Sequence, residues 1–252
     1  MQADKKMKIL GIIPARYAST RFPGKPLIDI NGKSMIQRVY EQASKCSLLD
    51  LVTVATDDER IAAELNRFGG HVSMTSSSHQ SGTDRCAEVA ALHPDYDIII
   101  NIQGDEPFID PSQISLLISC FGSPEVQLAT LVKEVDTEAE LFNQNQPKVV
   151  LNSHKEAIYF SRQTIPFLRG IEPASWLNAH TFYKHIGIYG YTRKVLLEIT
   201  KLMPSLLEKS ESLEQLRWIE NGYRIQTQLT TVETIAIDSP EDLKKIVPAS
   251  GD

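Results

Sequence analysis

The chain has 252 residues, 42% of them hydrophobic, and a formal net charge of -6. That length supports one full α/β core rather than several small domains. The acidic balance provides no broad field for nucleic acid, so an anionic small molecule would need a local basic cluster. Cys46, Cys86 and Cys120 are odd in number and widely spaced, without a CxxC pair or a disulfide framework. Each is expected to be a buried, reduced small hydrophobe. The N-terminal stretch MQADKKMKIL lacks the apolar length of a signal peptide, and no run reaches membrane-spanning length. A reduced cytoplasmic protein is the expectation. Met7 is a candidate native start, with residues 1–6 as an appended remnant or frayed tail.

In chain order, the first half alternates short apolar runs with helical patterns, which predicts a parallel sheet wrapped by helices. Residues 8–15 (KILGIIPA) read as a strand flowing into a loop, and residues 35–45 as the following helix. Residues 51–55 (LVTVA) are the second strand, and 58–68 a helix closed by Gly69 and Gly70. A short strand follows at 71–74, then a helix at 83–92. Residues 97–102 (DIIINI) are almost entirely apolar, as a central strand buried on both faces would be. Pro111 opens another helix at a favoured first-turn position. From about residue 125 the rhythm changes. Residues 126–134, 148–151 and 185–191 read as strands, 194–201 and 211–221 as helices, and 224–229 and 234–237 as late strands. Ser239, Pro240, Glu241 and Asp242 begin a closing helix with a good cap. The chain is thus expected to be one domain over 1–252, in which residues 140–220 form an inserted lid or dimerisation subregion.

The loop after the first strand, residues 14–26 (PARYASTRFPGKP), carries three cations, two hydroxyls and a glycine that permits close backbone approach. It lies at the carboxyl edge of an α/β sheet, where such folds bind ligands. It is neither a Walker loop nor a GxGxxG turn. It nonetheless supplies backbone N–H groups and mobile cations suited to a polyphosphate. The plainer alternative is a solvated basic loop. A second strand end, residues 101–107 (NIQGDEP), offers Asp105 as an oxygen ligand of the kind Mg²⁺ prefers. Read alone, it is equally a tight turn facing water. Asp238, directly after TIAI, supplies a second carboxylate at another predicted strand end, though Asp is also routine before a helix.

Residues 79–85 (HQSGTDR) lead into a helix, where Ser81, Gly82 and Thr83 offer donors at its N-terminus and Arg85 a planar guanidinium. A plain capping turn is the alternative. His185 and Tyr189 are four residues apart on one predicted strand and so share a face. Glu214 and Gln215 lie on a later helix. From the residues alone these four remain candidates only.

Together the segments PARYASTRFPGKPL, ATDDERI, HQSGTDR, NIQGDEPFI, YFSRQTIPF, YKHIGIYGY, LEQLRWIENG and AIDSPEDL resemble, in order, the 3-deoxy-manno-octulosonate cytidylyltransferase family. The resemblance runs over nearly the whole chain after Met7, and it is the ordered set that makes it specific. It implies a Rossmann-like nucleotidyltransferase fold and a homodimer that makes CMP-Kdo and pyrophosphate from CTP and the eight-carbon acidic sugar Kdo. It also implies a division of roles. Pro14, Ala15, Arg16 and Lys25 would hold the triphosphate. Ser81, Gly82 and Arg85 would surround the cytidine, with Gln103 between nucleotide and sugar. Asp105 and Asp238 would hold magnesium, and with Lys25 form the catalytic set. Arg21, Arg162, His185, Tyr189, Glu214 and Gln215 would hold the sugar. The implied reaction is in-line attack by the anomeric hydroxyl on the α-phosphorus, helped by one or two magnesium ions.

Phe22, Phe167 and Lys184 depart from the residues most frequent in the family, and residues 168–179 resemble it less. The same reaction on 8-amino-Kdo or a sialic-acid-like sugar is therefore the alternative within the enzyme class. From another class, a nucleotide-sensing protein with a degenerate transferase fold would be expected to have lost Asp105, Asp238, Lys25 or Arg21. All four are present.

Overall fold

The computed structural model describes residues 7–18, 22–233, 236–237, 239 and 241–243. Arg21 and Asp238, and much of the predicted strand at 234–237 and of the closing helix, lie outside the described residues. The chain divides into two compact units, one of Met1–Ser115, Thr192–Thr200 and Glu233–Asp252, the other of Leu116–Tyr191 and Lys201–Val232.

The first unit starts with β1 (Ile9–Pro14), buried along almost its whole length. A short hairpin follows, β2 (Asp29–Ile30) and β3 (Lys33–Ser34). Its two central residues, Asn31 and Gly32, have φ of 52° and 79°, the pairing that matches the natural twist of a two-residue hairpin. Ser34 then caps α1 (Met35–Ala43) by accepting from the Gln37 amide. Next come β4 (Leu51–Thr56) and α2 (Glu59–Phe68), the latter capped by Asp58 and ended by left-handed Gly69. After these come β5 (Val72–Met74), α3 (Gly82–Leu92), β6 (Ile98–Asn101) and α4 (Pro111–Ser119), within which the two units divide. In the main sheet of this unit the strands lie in the order β6-β1-β4-β5, and these pairings are all parallel. This is the architecture the apolar runs predicted. Parallel strands require helical crossovers, which bring the strand-end loops to one edge of the sheet.

The second unit contains β7 (Leu128–Glu134), α5 (Glu138–Leu141), β8 (Lys148–Leu151), β9 (Ala157–Ser161), α6 (Trp176–Ala179) and β10 (Tyr183–Thr192). The chain then supplies α7 (Arg193–Ile199) to the first unit. It returns as α8 (Leu206–Glu211), α9 (Gln215–Glu220) and β11 (Gln226–Leu229). Here β11 pairs parallel with β7, while β7–β10, β10–β8 and β8–β9 are antiparallel. The change of rhythm at residue 125 thus marks a change from parallel to mostly antiparallel pairing.

Several elements differ from expectation. The helix predicted over 211–221 begins only at Gln215, as α9, and is preceded by an unanticipated helix, α8, which ends where Ser212 takes a left-handed conformation (φ 52°). Strand β9, the β2–β3 hairpin and the short helices α5 and α6 were not anticipated. All three cysteines are free and buried, as expected. Burial pushes the Cys120 thiol up to about 11, so it stays protonated and inert at neutral pH. No helix among the described residues is long and apolar enough to cross a membrane.

Candidate active site

In the first unit the ends of β1 and β6 and the N-terminus of α3 enclose a cleft of about 280 Å³. Pro14, Ala15, Arg16, Lys25, Ser81, Gly82, Arg85, Gln103 and Asp105 all line it. Nine residues selected from three separate sequence segments therefore meet at one concavity.

Each is placed by local structure. The Ala15 amide donates to the Ala55 carbonyl at 2.9 Å, extending the β1–β4 ladder one residue into the loop. Gly24, in the left-handed region at φ 72°, donates to the Tyr17 carbonyl at 3.0 Å. That turn delivers Lys25 at the start of a short 3-10 helix. At Gly104 a Cβ would lie 2.8 Å from the Pro14 carbonyl oxygen. Only glycine allows the β6 loop to pass so close to the β1 loop. Ser81 caps α3 by accepting from the Asp84 amide, while the Asp84 carboxylate accepts from the Ser81 amide. The cap fixes where α3 begins, and the positive end of the helix dipole falls at the cleft.

The electrostatics are those of an anion site with a carboxylate at its edge. The Lys25 ammonium donates to the Asp105 carboxylate at 2.8 Å, both groups partly buried. Arg85 is almost fully buried. Its guanidinium lies 3.2 Å from Asp57 Oδ1 and donates to the Thr75 hydroxyl, which locks its planar fork. The cleft thus presents two held cations, exposed Arg16 and helix N-terminal amides, a donor set suited to several phosphate oxygens at once. Among the described residues no group of three or more His, Cys, Asp or Glu side chains could hold a metal alone. Magnesium does not require one. It binds through one or two carboxylates and completes its shell with water and substrate phosphate. Asp105, at the rim of an anion-binding cleft, fits that chemistry.

In the second unit His185 and Tyr189, with the Glu214 carboxylate, form a second group. The His185 and Tyr189 rings are 5.2 Å apart, and Tyr189 stands edge-on to Trp218 at 5.1 Å. The β7–β10 register shifts between Ile186 and Tyr189, yet both rings stay on one face. Thr130 sits beneath them, its hydroxyl 3.1 Å from His185 Nε2 and donating to the Ile188 carbonyl at 2.7 Å. Burial pulls the His185 imidazole down to about 4, so it is neutral at pH 7. Burial, with help from the Glu214 carboxylate, holds the Tyr189 phenol well above its ordinary value. Gln215 is buried, and its Nε2 has no hydrogen-bond partner among the described residues. A buried amide nitrogen without an acceptor is costly unless a ligand completes it.

Arg162 is placed differently. Its guanidinium donates to the carbonyls of Glu211, Gln144 and Ser212 at 2.6, 3.1 and 3.3 Å, and its amide to the Glu211 carboxylate at 2.9 Å. These contacts tie three chain segments together. Sequence reasoning assigned no role to Pro26, His79, Gln80 or Gly104, which also line the cleft, or to Asp57 and Thr75, which hold Arg85. His79, Gln80 and Asp57 all lie inside quoted motifs, so the signal was present.

The family model for cytidylyltransferases matches residues 10–229. The chain is 59% identical over 244 residues to a 3-deoxy-manno-octulosonate cytidylyltransferase of Parabacteroides distasonis, covering 95% of this chain and 96% of that one. It is 57% identical over 249 residues to the protein of the same name from Cytophaga hutchinsonii, covering 98% and 99%. Among solved structures, a CMP:2-keto-3-deoxy-manno-octonic acid synthetase complexed with CTP is similar, with a TM-score of 0.87 and 42% identity. The match covers 95% of this chain and 96% of that one.

Proposed function

The chain belongs to the cytidylyltransferase family, and we propose that it joins CTP to 3-deoxy-D-manno-octulosonate, forming CMP-Kdo and pyrophosphate. The product is the activated sugar of lipopolysaccharide synthesis. Relatives that carry this name match over nearly their full length at more than half identity. The observation that carries the reading in this chain is the single cleft formed by Pro14, Ala15, Arg16, Lys25, Ser81, Gly82, Arg85, Gln103 and Asp105.

In this reading the triphosphate lies along Arg16, Lys25 and the loop amides, and the cytidine against Ser81, Gly82 and Arg85. Gln103 is assigned to both nucleotide and sugar, as the resemblance implies. The reaction forms a bond from the anomeric oxygen to the α-phosphorus and breaks the bond to the β-phosphate, releasing pyrophosphate and the hydroxyl proton. The chain's contribution is position and charge: held cations neutralise oxygens that gain charge as pyrophosphate leaves. Nucleotidyltransferases generally use a divalent cation. Magnesium, held by Asp105 and by Asp238, would organise the phosphates and acidify the sugar hydroxyl. Ile237, directly before Asp238 in sequence, donates its amide to the Asp105 carbonyl at 2.9 Å.

We assign the acidic sugar to His185, Tyr189, Glu214 and Gln215, whose unpartnered amide suits a sugar hydroxyl, with Arg21 for the sugar carboxylate and Arg162 bracing the segment around Glu211. The reading includes the homodimer and cytoplasmic setting that the resemblance implies. The test is product analysis by mass spectrometry after incubation with CTP, Kdo and magnesium. CMP-Kdo with equimolar pyrophosphate is expected. CTP left intact with Kdo but consumed with sialic acid or 8-amino-Kdo would reassign the sugar.

A further inference from the structure

Residues 75–81 have no regular secondary structure and supply His79, Gln80 and Ser81 to one wall of the cleft, yet they are wired in place. The Thr75 amide donates to the Thr56 carbonyl at 2.8 Å at one end, and the Ser81 cap fixes the other. Within the loop the Ser78 amide donates to Ser76 Oγ at 3.1 Å, and Gln80 Nε2 to the Ser78 carbonyl at 3.0 Å. The middle is held from α3 by one carboxylate. Glu88 Oε2 accepts from the Ser76 amide at 2.9 Å and pairs with His79 Nε2. His79 is a lining residue of the cleft, with its side chain about 20% exposed. Gly82, next to this wall, approaches the Pro14 ring so closely that a Cβ would meet it at 3.2 Å. The wall and the triphosphate loop are therefore neighbours.

We propose that His79, held by Glu88, is a specificity-determining residue of the nucleotide site and selects cytosine over uracil. The inference rests on the reading of this cleft as the CTP site. A carboxylate facing one imidazole nitrogen sets the role of the other. With the Nε2 proton directed to Glu88, Nδ1 keeps its lone pair and accepts hydrogen bonds. Cytosine carries an amino donor at its fourth ring position, where uracil carries a carbonyl acceptor. An acceptor at the wall therefore pairs with the first and opposes the second. Sites that fix a buried hydrogen-bonding group discriminate strongly, because the wrong partner leaves it unpaired. Glu88 acts through His79 and is a positioning residue. It sets the imidazole orientation and, through the Ser76 amide, the path of the wall.

The test measures dissociation constants for CTP and UTP, and kcat and KM with CTP, in wild type, His79→Phe, His79→Gln, Glu88→Ala and Glu88→Gln. His79→Phe and Glu88→Ala should each reduce the CTP-over-UTP preference by about tenfold, the worth of one well-placed hydrogen bond. The loss should fall on the CTP dissociation constant and KM, with kcat little changed. Glu88→Gln, which keeps an acceptor oxygen, should restore most of the preference. A merely structural role would weaken both nucleotides alike and leave their ratio unmoved. An unchanged ratio in folded His79→Phe and His79→Gln would overturn the inference while leaving the proposed reaction standing. A wild-type protein that neither binds nor consumes CTP would overturn both.

Discussion

His185 sits half-buried between Phe160 and Tyr189, with its imidazole held down to about 4. In the unfolded chain the same group titrates near its ordinary value of about 6.5. Between these values the unfolded state binds more protons than the folded state, so acidification favours unfolding. The stability that neutral His185 contributes is complete above the unfolded value and is lost as pH falls through the window from 6.5 to 4. The full window corresponds to about 3.4 kcal/mol at 1.36 kcal/mol per unit. Between pH 7 and pH 5 the loss comes to about 2 kcal/mol. Carboxylates titrate as well, so the contribution of His185 is a difference between two proteins. Urea unfolding of wild type and His185→Gln at both pH values isolates it, since glutamine keeps a polar group near Thr130 without the proton. Wild type should lose about 2 kcal/mol more than the variant on going to pH 5. A ring that titrates near 6.5 by NMR, or equal losses in the two proteins, would refute the assignment of a desolvated, neutral imidazole.

Other outcomes follow from the same geometry. Asp105→Asn removes the partner of Lys25 and the carboxylate at the cleft, and turnover should fall by about two orders of magnitude; residual turnover within a few-fold of wild type would contradict a metal role. Chelation with EDTA should stop pyrophosphate release and added magnesium restore it, as direct detection of pyrophosphate by phosphorus NMR would show. Gly104→Ala sets a methyl group 2.8 Å from the Pro14 carbonyl and should cost about 1–3 kcal/mol in thermal unfolding, with weaker CTP binding by calorimetry. Gln215→Met removes a buried amide whose Nε2 has no acceptor among the described residues, so stability should hold or rise. The KM for the sugar should rise about tenfold while that for CTP stays put.

The fold was legible where burial is simple. Residues 97–102 and 8–15 are apolar on both faces, which only a central parallel strand or a buried helix requires, and the short run length chose the strand. The grouping of the cleft residues was legible for a related reason. In a parallel α/β sheet the loops after successive strands meet at one edge, so three separate motif segments fall together in the structure. The break between α8 and α9 was not legible. Ser212 adopts a left-handed conformation without a glycine to announce it, and the Ser205–Glu208 capping box and the Arg217–Glu208 ion pair fix the two helices on either side. Strand β9 escaped because Ala157–Ser161 has no clean alternation, its exposure being set by pairing with β8. The resemblance alone assigned Arg162 to the sugar; its hydrogen bonds to three carbonyls of other segments are a non-local fact no spacing encodes. His79 and Asp57 lay in quoted motifs, but their role depends on Glu88 and Arg85 across the fold.

The central claim is that this chain transfers a cytidylyl group to an acidic eight-carbon sugar. Its most direct test is magnesium-dependent pyrophosphate release, measured with CTP and each of Kdo, 8-amino-Kdo and sialic acid. The account predicts rapid release with Kdo, far above the other two, and none when magnesium is omitted. Release that is equally slow with all three sugars, from a protein that binds CTP, would contradict it.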